Sequence, residues 1–474
     1  MLLTMQKLSQ QRRYDAAPAL VLVIVCGAVV LASLDLFIVN VALPSIARDL
    51  HQPNLGLLSW VLNGYAIVYA ALLVVFGRIS EGRPRELGFL IGVALFTLAS
   101  AACGLTSSVA GLITFRVIQA AGAALLTPTS LGLILATTAP EQRHGAVRTW
   151  TAVGGAAAAF GPVIGGVLVA LSWRWVFFVN VPIGLLAFVY GWLRLPHVPG
   201  QAVKSPDAAG ALLITAGIGL LSLGLVEGNS WGWGSLRVVA ALAIAVIMLM
   251  LCCQRLLRYH NPLVDPALFK VRAFSGAALV SLLFSVAFGA MLLSVVLWMQ
   301  DVWGWSALQT GLAFAPGPLM VPFFGLIFTG RLISRFGPGR VIAVGSLIYA
   351  IGIAWWAWRA SVSPNYLGQV LPGTICTGIG VGLTLPTFMA TGTSSLPPSA
   401  FATGSAVINM LRQVGLAVGV AIFIAVVGTP HGALAAQAAF RHGWEVISAT
   451  ALLAAVIGLL ALRAPNPRPK VARA

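Results

Sequence analysis

The chain has 474 residues, 59% of them hydrophobic and only 8% charged, with a mean hydropathy of +0.96. So little polar surface cannot cover a water-soluble globule, and apolar runs of about 20 residues recur to the C-terminus, so that no single cleaved leader ahead of a polar domain is expected. The net charge of +17 resides in short gaps between apolar runs and is nowhere interleaved with aromatic residues as on an RNA surface, so no nucleic-acid partner is expected.

At about 20 apolar residues per membrane-crossing helix, spans are predicted near 18–40, 57–76, 87–105, 109–137, 146–171 and 175–195. Two more follow near 208–226 and 236–257, then six near 273–298, 307–329, 341–360, 367–390, 402–427 and 444–463. The reading is an all-α polytopic membrane protein of 14 transmembrane helices. Its parts are an N-terminal segment 1–17, a six-helix bundle 18–195, a linker 196–272 with two additional central helices, a six-helix bundle 273–463 and a tail 464–474. The central pair and the Pro-rich tenth span are the least regular; omitting the pair gives twelve spans with the same parity.

Basic residues alternate between successive gaps. On one side lie 21 Lys and Arg and on the other 5, with Arg116 and Arg412 inside helices. Cytoplasmic loops carry the excess, so both termini are expected in the cytoplasm of a cell with this chain in its inner or plasma membrane. Trp60, Trp173, Trp175, Trp231, Trp233, Trp303, Trp305 and Trp444 fall at the opposite helix ends, where an interfacial aromatic belt is expected. The five cysteines lie in apolar runs without metal-ligand spacing and read as packing or lipid-facing residues; no metal site and no cofactor are expected. All six histidines read as loop residues, and neither H-E-x-x-H, G-x-S-x-G nor a nucleotide-binding G-x-x-x-x-G-K-(S/T) loop occurs, which argues against an enzyme or a self-contained nucleotide-driven pump.

Of the eleven acids only Asp35, in "ASLDLFIVNVALP", is predicted deep in a span. An ionisable residue there costs roughly 2.5–3.5 kcal/mol and usually faces a cavity. Desolvation favours its neutral form, which suits a proton carrier; a permanently paired structural carboxylate is the alternative. Arg116 is the other deep charge of the first half, with Gln119 on the same helical face; it either tunes Asp35 or ties helices together. Asn40, Asn63, Tyr65 and Asn180 supply neutral polar groups to a substrate pocket or to interhelical hydrogen bonds. Asn409, Arg412 and Gln413 share a face of the thirteenth span and either line the pocket or bridge bundles. With one deep carboxylate, neutral or monocationic lipophilic substrates are expected rather than dications.

Gly154, Ala158, Gly161 and Gly165 form a small-residue face on the fifth span, where Pro162 removes a helix hydrogen bond and Gly166 adds slack. "GRISEGRPRE" (77–86) and "GRLISRFGPGR" (330–340) each follow the second helix of a six-helix block, the mark of duplicated halves.

These stretches resemble motifs of the major facilitator superfamily. The 77–86 loop is similar to its G-x-L-(A/S)-D-R-x-G-R-(R/K) loop, with Glu81, Gly82 and Pro84 departing from it. "FRVIQAAGAALLTP" resembles its R-x-x-Q-G-x-G fourth helix, with Ala120 for Gly. "AAAAFGPVIGGVL" resembles the G-x-x-x-G-P-x-x-G-G antiporter motif, with Ala157 for the first Gly. "LDLFIVNVALP", "WRWVFFVNVPIG" and "NMLRQVG" resemble signatures of its fourteen-span drug:proton antiporter family. The resemblance implies two bundles that alternate access to a central site, with proton-driven efflux of small amphipathic compounds such as drugs or antibiotics. It also implies a cytoplasmic latch at Gly77, Arg78, Glu81 and Arg85, and a bundle seal at Gly161, Pro162, Gly165 and Gly166. A dedicated exporter of one metabolite or self-made antibiotic, or a proton symporter, stays open. The partners are then protons, a small-molecule substrate and the bilayer; the oligomeric state is open and a monomer suffices.

Overall fold

The computed structural model describes residues 18–52, 54–200, 207–259, 262, 264–396, 401–430 and 432–462, so the expected segments 1–17 and 464–474 lie outside the described residues. Among the described residues the apolar runs are helices and there is no strand. In chain order these are α1 (Pro18–Asp49), α2 (Leu55–Glu81), α3 (Arg85–Leu105), α4 (Val109–Thr137), α5 (Arg143–Leu171), α6 (Trp175–Arg194) and α7 (Ala208–Trp231). They continue as α8 (Leu236–Arg258), α9 (Arg272–Val302), α10 (307–336), α11 (Pro338–Arg359), α12 (Tyr366–Ser394), α13 (Phe401–Val427) and α14 (Ala433–Ala461). Helix starts follow their caps: Asn54, Ser108, Asp207 and Ser235 each accept a hydrogen bond from the backbone N–H three residues on, and Ser306 forms a capping box with Gln309.

Twelve helices are long and apolar enough to cross a bilayer, or thirteen if the bent parts of α10 form one span, so the expected fourteen holds only approximately. α5 falls outside that count. It runs unbroken for 29 residues, but its first half holds Arg143, His144, Arg148, Thr149 and Thr151, leaving Phe160–Leu171 as its compact apolar stretch. α10 breaks because Pro316, Pro318 and Pro322 each lack the N–H that a helix interior needs. A π-helical stretch, Phe323–Phe328, follows the last of them, and the two parts are bent by 53°.

Several boundaries differ from expectation: α2 runs to Glu81 rather than 76 and α10 to 336 rather than 329. α1 continues past residue 40 to Asp49, carrying Pro44 within it, and α7 reaches Trp231, so that Glu227 lies inside it. α14 starts at Ala433 rather than 444, which places His442 on a helix; Gln437 and Arg441 steady these extra turns by donating to the Ala360 and Ala357 carbonyls at the end of α11. His144 likewise lies in the first turn of α5. Trp444 is not an interfacial anchor: it is buried, donates to Ser294 Oγ at 3.0 Å and packs on Trp298 and Trp356. Trp173 and Trp303 are also buried, bonded to Asp49 and to the Ser361 carbonyl.

Within the first half, α1 packs on α4, α5 and α6, α4 on α2 and α3, and α3 on α6. Within the second, α9 packs on α12, α13 and α14, while α11 packs on α12 and α14 and α10 on α12. The halves meet where α2 packs on α13, α5 on α10 and α1 on α9. α7 and α8 pair with each other, and α7 lies against both α2 and α13. Asn229 of α7 fastens this seam by donating to the Ile424 and Ala425 carbonyls of α13.

Candidate functional site

Asp35 occupies the middle of α1, flanked by apolar residues, and its side chain is fully buried. Such a carboxylate needs its lone pairs satisfied, and two helices supply three donors. Arg116 of α4 forms an ion pair with Oδ2 through Nη1. Gln119, one turn further along α4, donates from Nε2 to Oδ1 at 2.9 Å, and Asn180 of α6 donates from Nδ2 to Oδ1 at 3.0 Å. Four of the sequence-predicted residues therefore converge on one spot.

The arginine is held as firmly as the acid. Its Nε donates to the Val61 carbonyl of α2 at 3.1 Å and its Nη1 to Gln119 Oε1 at 2.7 Å. Its Cζ lies 4.1 Å from the Tyr65 ring centroid, a cation–π contact. Asn180 Nδ2 also donates to Ser100 Oγ at 3.1 Å, and Ser100 in turn donates to the Phe177 carbonyl. Ser100 and the Val61 carbonyl belong to the network without having been singled out from the sequence; the available signal for Ser100 was a hydroxyl in the apolar middle of α3. Some capacity stays unused: Arg116 Nη2, Asn180 Oδ1, Asn63 Oδ1 and the Tyr65 hydroxyl are buried without a hydrogen-bond partner.

Beside this network a narrow cavity of about 30 Å³ lies where the halves meet. Leu36, Phe37 and Asn40 of α1, Leu62, Asn63 and Ala66 of α2, and Arg116 line it from one side. Gly289 and Leu292 of α9 with Leu416, Ala417 and Val420 of α13 close the other. Arg116 thus touches both the cavity and Asp35, whereas Asp35 sits behind it. Asn40 donates back to the Leu36 and Phe37 carbonyls, and Asn63 to Ser59 Oγ at 3.5 Å. Gln413 precedes Leu416 and Ala417 by one turn; it is fully buried and neither of its amide atoms has a partner. Asn409 donates to the Ser405 carbonyl.

The glycine face of α5 rests on α1 beside the acid. A Cβ at Gly161 would lie 2.9 Å from Phe37 Cβ, and one at Gly165 2.9 Å from Ile38 Cγ1, so only glycine permits this approach. Gly166 faces the other half: its Cβ would lie 2.7 Å from the Ala307 carbonyl oxygen, and a Cβ at the opposing Gly311 2.7 Å from that of Pro162. α5 therefore touches the Asp35 helix with one edge and α10 with another.

The 77–86 stretch expected as a loop is mostly helical, with only 82–84 between α2 and α3; in it Gly77 packs loosely near Pro128, and Arg85 donates from Nη1 to the Gly132 carbonyl of α4 at 2.7 Å. The neighbouring Glu86 accepts from the Val198 N–H and meets His197 at 2.6 Å. The side chains of Arg78 and Glu81 lie outside the described residues.

Residues 25–420 match the family description "Major Facilitator Superfamily". The chain belongs to that superfamily. Among superfamily members, it is 35% identical over 86% of its length to the "Tetracenomycin C resistance and export protein" of Streptomyces glaucescens, covering 74% of that protein. It is 34% identical over 92% of its length to "Cephamycin export protein CmcT" of Amycolatopsis lactamdurans, covering 90% of it. It is 32% identical over 82% of its length to "Multidrug export protein EmrB" of Haemophilus influenzae, covering 76% of it. The superfamily fold is also shared with a solved structure described as an "auto inhibited POT family peptide transporter", at a TM-score of 0.67 and 19% identity over 95% of this chain and 98% of that one. The chain is accordingly a multi-pass membrane protein of a transporter superfamily.

Proposed function

We propose that this chain is a proton-coupled antiporter that exports small amphipathic compounds such as drugs or antibiotics by alternating access. The observation that carries the reading is the buried Asp35–Arg116 pair standing between a sealed helix seam and the cavity where the halves meet. The export proteins named for tetracenomycin C and cephamycin, and the multidrug export protein, support the substrate class. Helices of 18–195 and 273–463 form the two moving units, with 196–272 between them and both termini in the cytoplasm.

The chemistry follows from the pair. While Asp35 is ionised, Arg116 is tethered to it and its outer edge forms part of the cavity wall. Protonating Asp35 removes the counter-charge, so that Arg116 is held by Val61, Gln119 and Tyr65 alone and is free to change its grip on cavity contents. Because Asp35 is enclosed in the conformation described, proton exchange belongs to the open conformations and substrate and proton do not pass together. Substrate leaves as Asp35 protonates from outside, and the proton leaves inside as the pair re-forms. Asn40 and Asn63 offer the cavity neutral polar contacts. Gly77, Arg78, Glu81 and Arg85 form the cytoplasmic latch, and Gly161, Pro162, Gly165 and Gly166 the seal that prevents leak.

Efflux in cells at matched expression tests this reading: Asp35→Asn abolishes pH-gradient-driven export of compounds that the wild type removes, whereas full gradient-driven export by Asp35→Asn contradicts it. The single-antibiotic names of the first relatives favour, as a second reading, a dedicated exporter of one compound; a broad efflux profile would exclude it.

A further inference from the structure

With Asp35 as the one deep carboxylate, the sequence points to neutral or monocationic lipophilic compounds. Asp35 is neutralised by Arg116 and lies behind it, so the acid presents no free charge to the cavity. The uncompensated charge nearby is Arg412 of α13. Its Nε is buried without a hydrogen-bond partner, and it takes part in none of the four ion pairs found among the described residues. The side chain within its electrostatic reach is Tyr69 of α2, whose hydroxyl is already engaged with Thr127 Oγ1 at 2.8 Å. The second half's own acids give no relief: Asp301 and Glu445 are exposed, and Asp265 caps the turn before α9. A cation so placed is costly without a counter-charge.

Gln413 adds an independent observation. It is fully buried, both its amide atoms lack partners, and it heads the helical stripe that continues through Leu416, Ala417 and Val420 along the cavity wall. Arg412 and Gln413 thus stand one turn beyond the lining residues Leu416 and Ala417, a guanidinium and an amide with buried atoms that lack partners, while the lining itself offers Leu36, Phe37, Leu62, Ala66 and Leu292. We infer that Arg412 and Gln413 are the head-group site of the export pocket, and that this site takes an anionic group, a carboxylate above all, on an otherwise apolar substrate. A planar guanidinium matches a carboxylate with two parallel hydrogen bonds, and the Gln413 amide supplies a third donor. The inference rests on the export reading and adds the substrate's charge.

The test uses the full chain in nanodiscs and three probes with one aromatic body: anthracene-9-carboxylate, anthracene-9-methanol and 9-(aminomethyl)anthracene. Binding is read by energy transfer from the protein's tryptophans. The wild type binds the carboxylate about tenfold or more tighter than the amine, the scale of one charge-assisted contact, with the alcohol between. Arg412→Gln removes that preference, and Arg412→Lys, which keeps the charge, retains part of it and serves if the glutamine variant does not fold. Equal binding of the three probes, preference for the amine, no binding of the carboxylate, or a carboxylate preference that survives Arg412→Gln overturns the inference. Efflux of ethidium and of an antibiotic panel from cells expressing the wild type is scored separately. Export without head-group preference sinks only the anion site, whereas absence of any export sinks the reading beneath it.

Discussion

At the scale of residues, burial makes the Asp35–Arg116 pair a matched set rather than two independent charges. Removing one partner strands the other in a low-dielectric interior, at a cost of about 3–5 kcal/mol, while replacing both with neutral groups of similar shape is close to neutral. Arg116→Gln is therefore expected to lower thermal stability sharply in detergent, and the double variant Asp35→Asn/Arg116→Gln to recover most of the loss; equal loss in both would mean that the pair does not act as a unit. The depth of Asp35 and the shared face of Arg116 and Gln119 were legible in the sequence, since both follow from hydrophobic run length and helical spacing. That Asn180 of α6 and the Val61 carbonyl of α2 complete the shell was not, because contacts between helices dozens of residues apart leave no local periodicity. Whether Arg116 pairs with Asp35 stayed open in the sequence for the same reason, since the two are separated by 81 positions.

At the scale of elements, glycine positions decide how closely helices approach. Gly161 and Gly165 seat α5 on α1, and Gly166 seats it against Gly311 of α10. Gly165→Val should destabilise the protein by about 1–3 kcal/mol through overpacking against Ile38, whereas Gly155→Ala, with nothing within 4 Å of its Cβ, should leave melting unchanged. Gly311→Ala presses on the Pro162 carbonyl across the junction of the halves, so spin-label distances between α5 and α10 should lengthen; unchanged distances would deny that this contact closes the carrier. The small-residue spacing of α5 was visible in the sequence, but its two partners were not. The break in α10 was foreshadowed by its prolines, although the π-helical turn that absorbs them was not. The first turns of α14 were missed because Gln437 and Arg441 make them look like a loop, and only their hydrogen bonds to α11 show why the helix extends.

At the scale of the whole molecule, the helix order, the pairing of halves and the central cavity fit a carrier whose two units exchange sides around a fixed site. Orientation is testable on its own terms. In a cysteine-free background, Ser107→Cys, in the exposed turn between α3 and α4, should react with a membrane-impermeant thiol reagent in intact cells, and Arg83→Cys, between α2 and α3, should not; the reverse pattern would invert the proposed topology. The account stands most directly on proton movement. In proteoliposomes holding a pH-sensitive dye, substrate flux through the wild type should drive an opposing proton flux, and Asp35→Asn protein should still bind substrate while moving no protons. Substrate-driven proton flux persisting in Asp35→Asn would contradict the central claim.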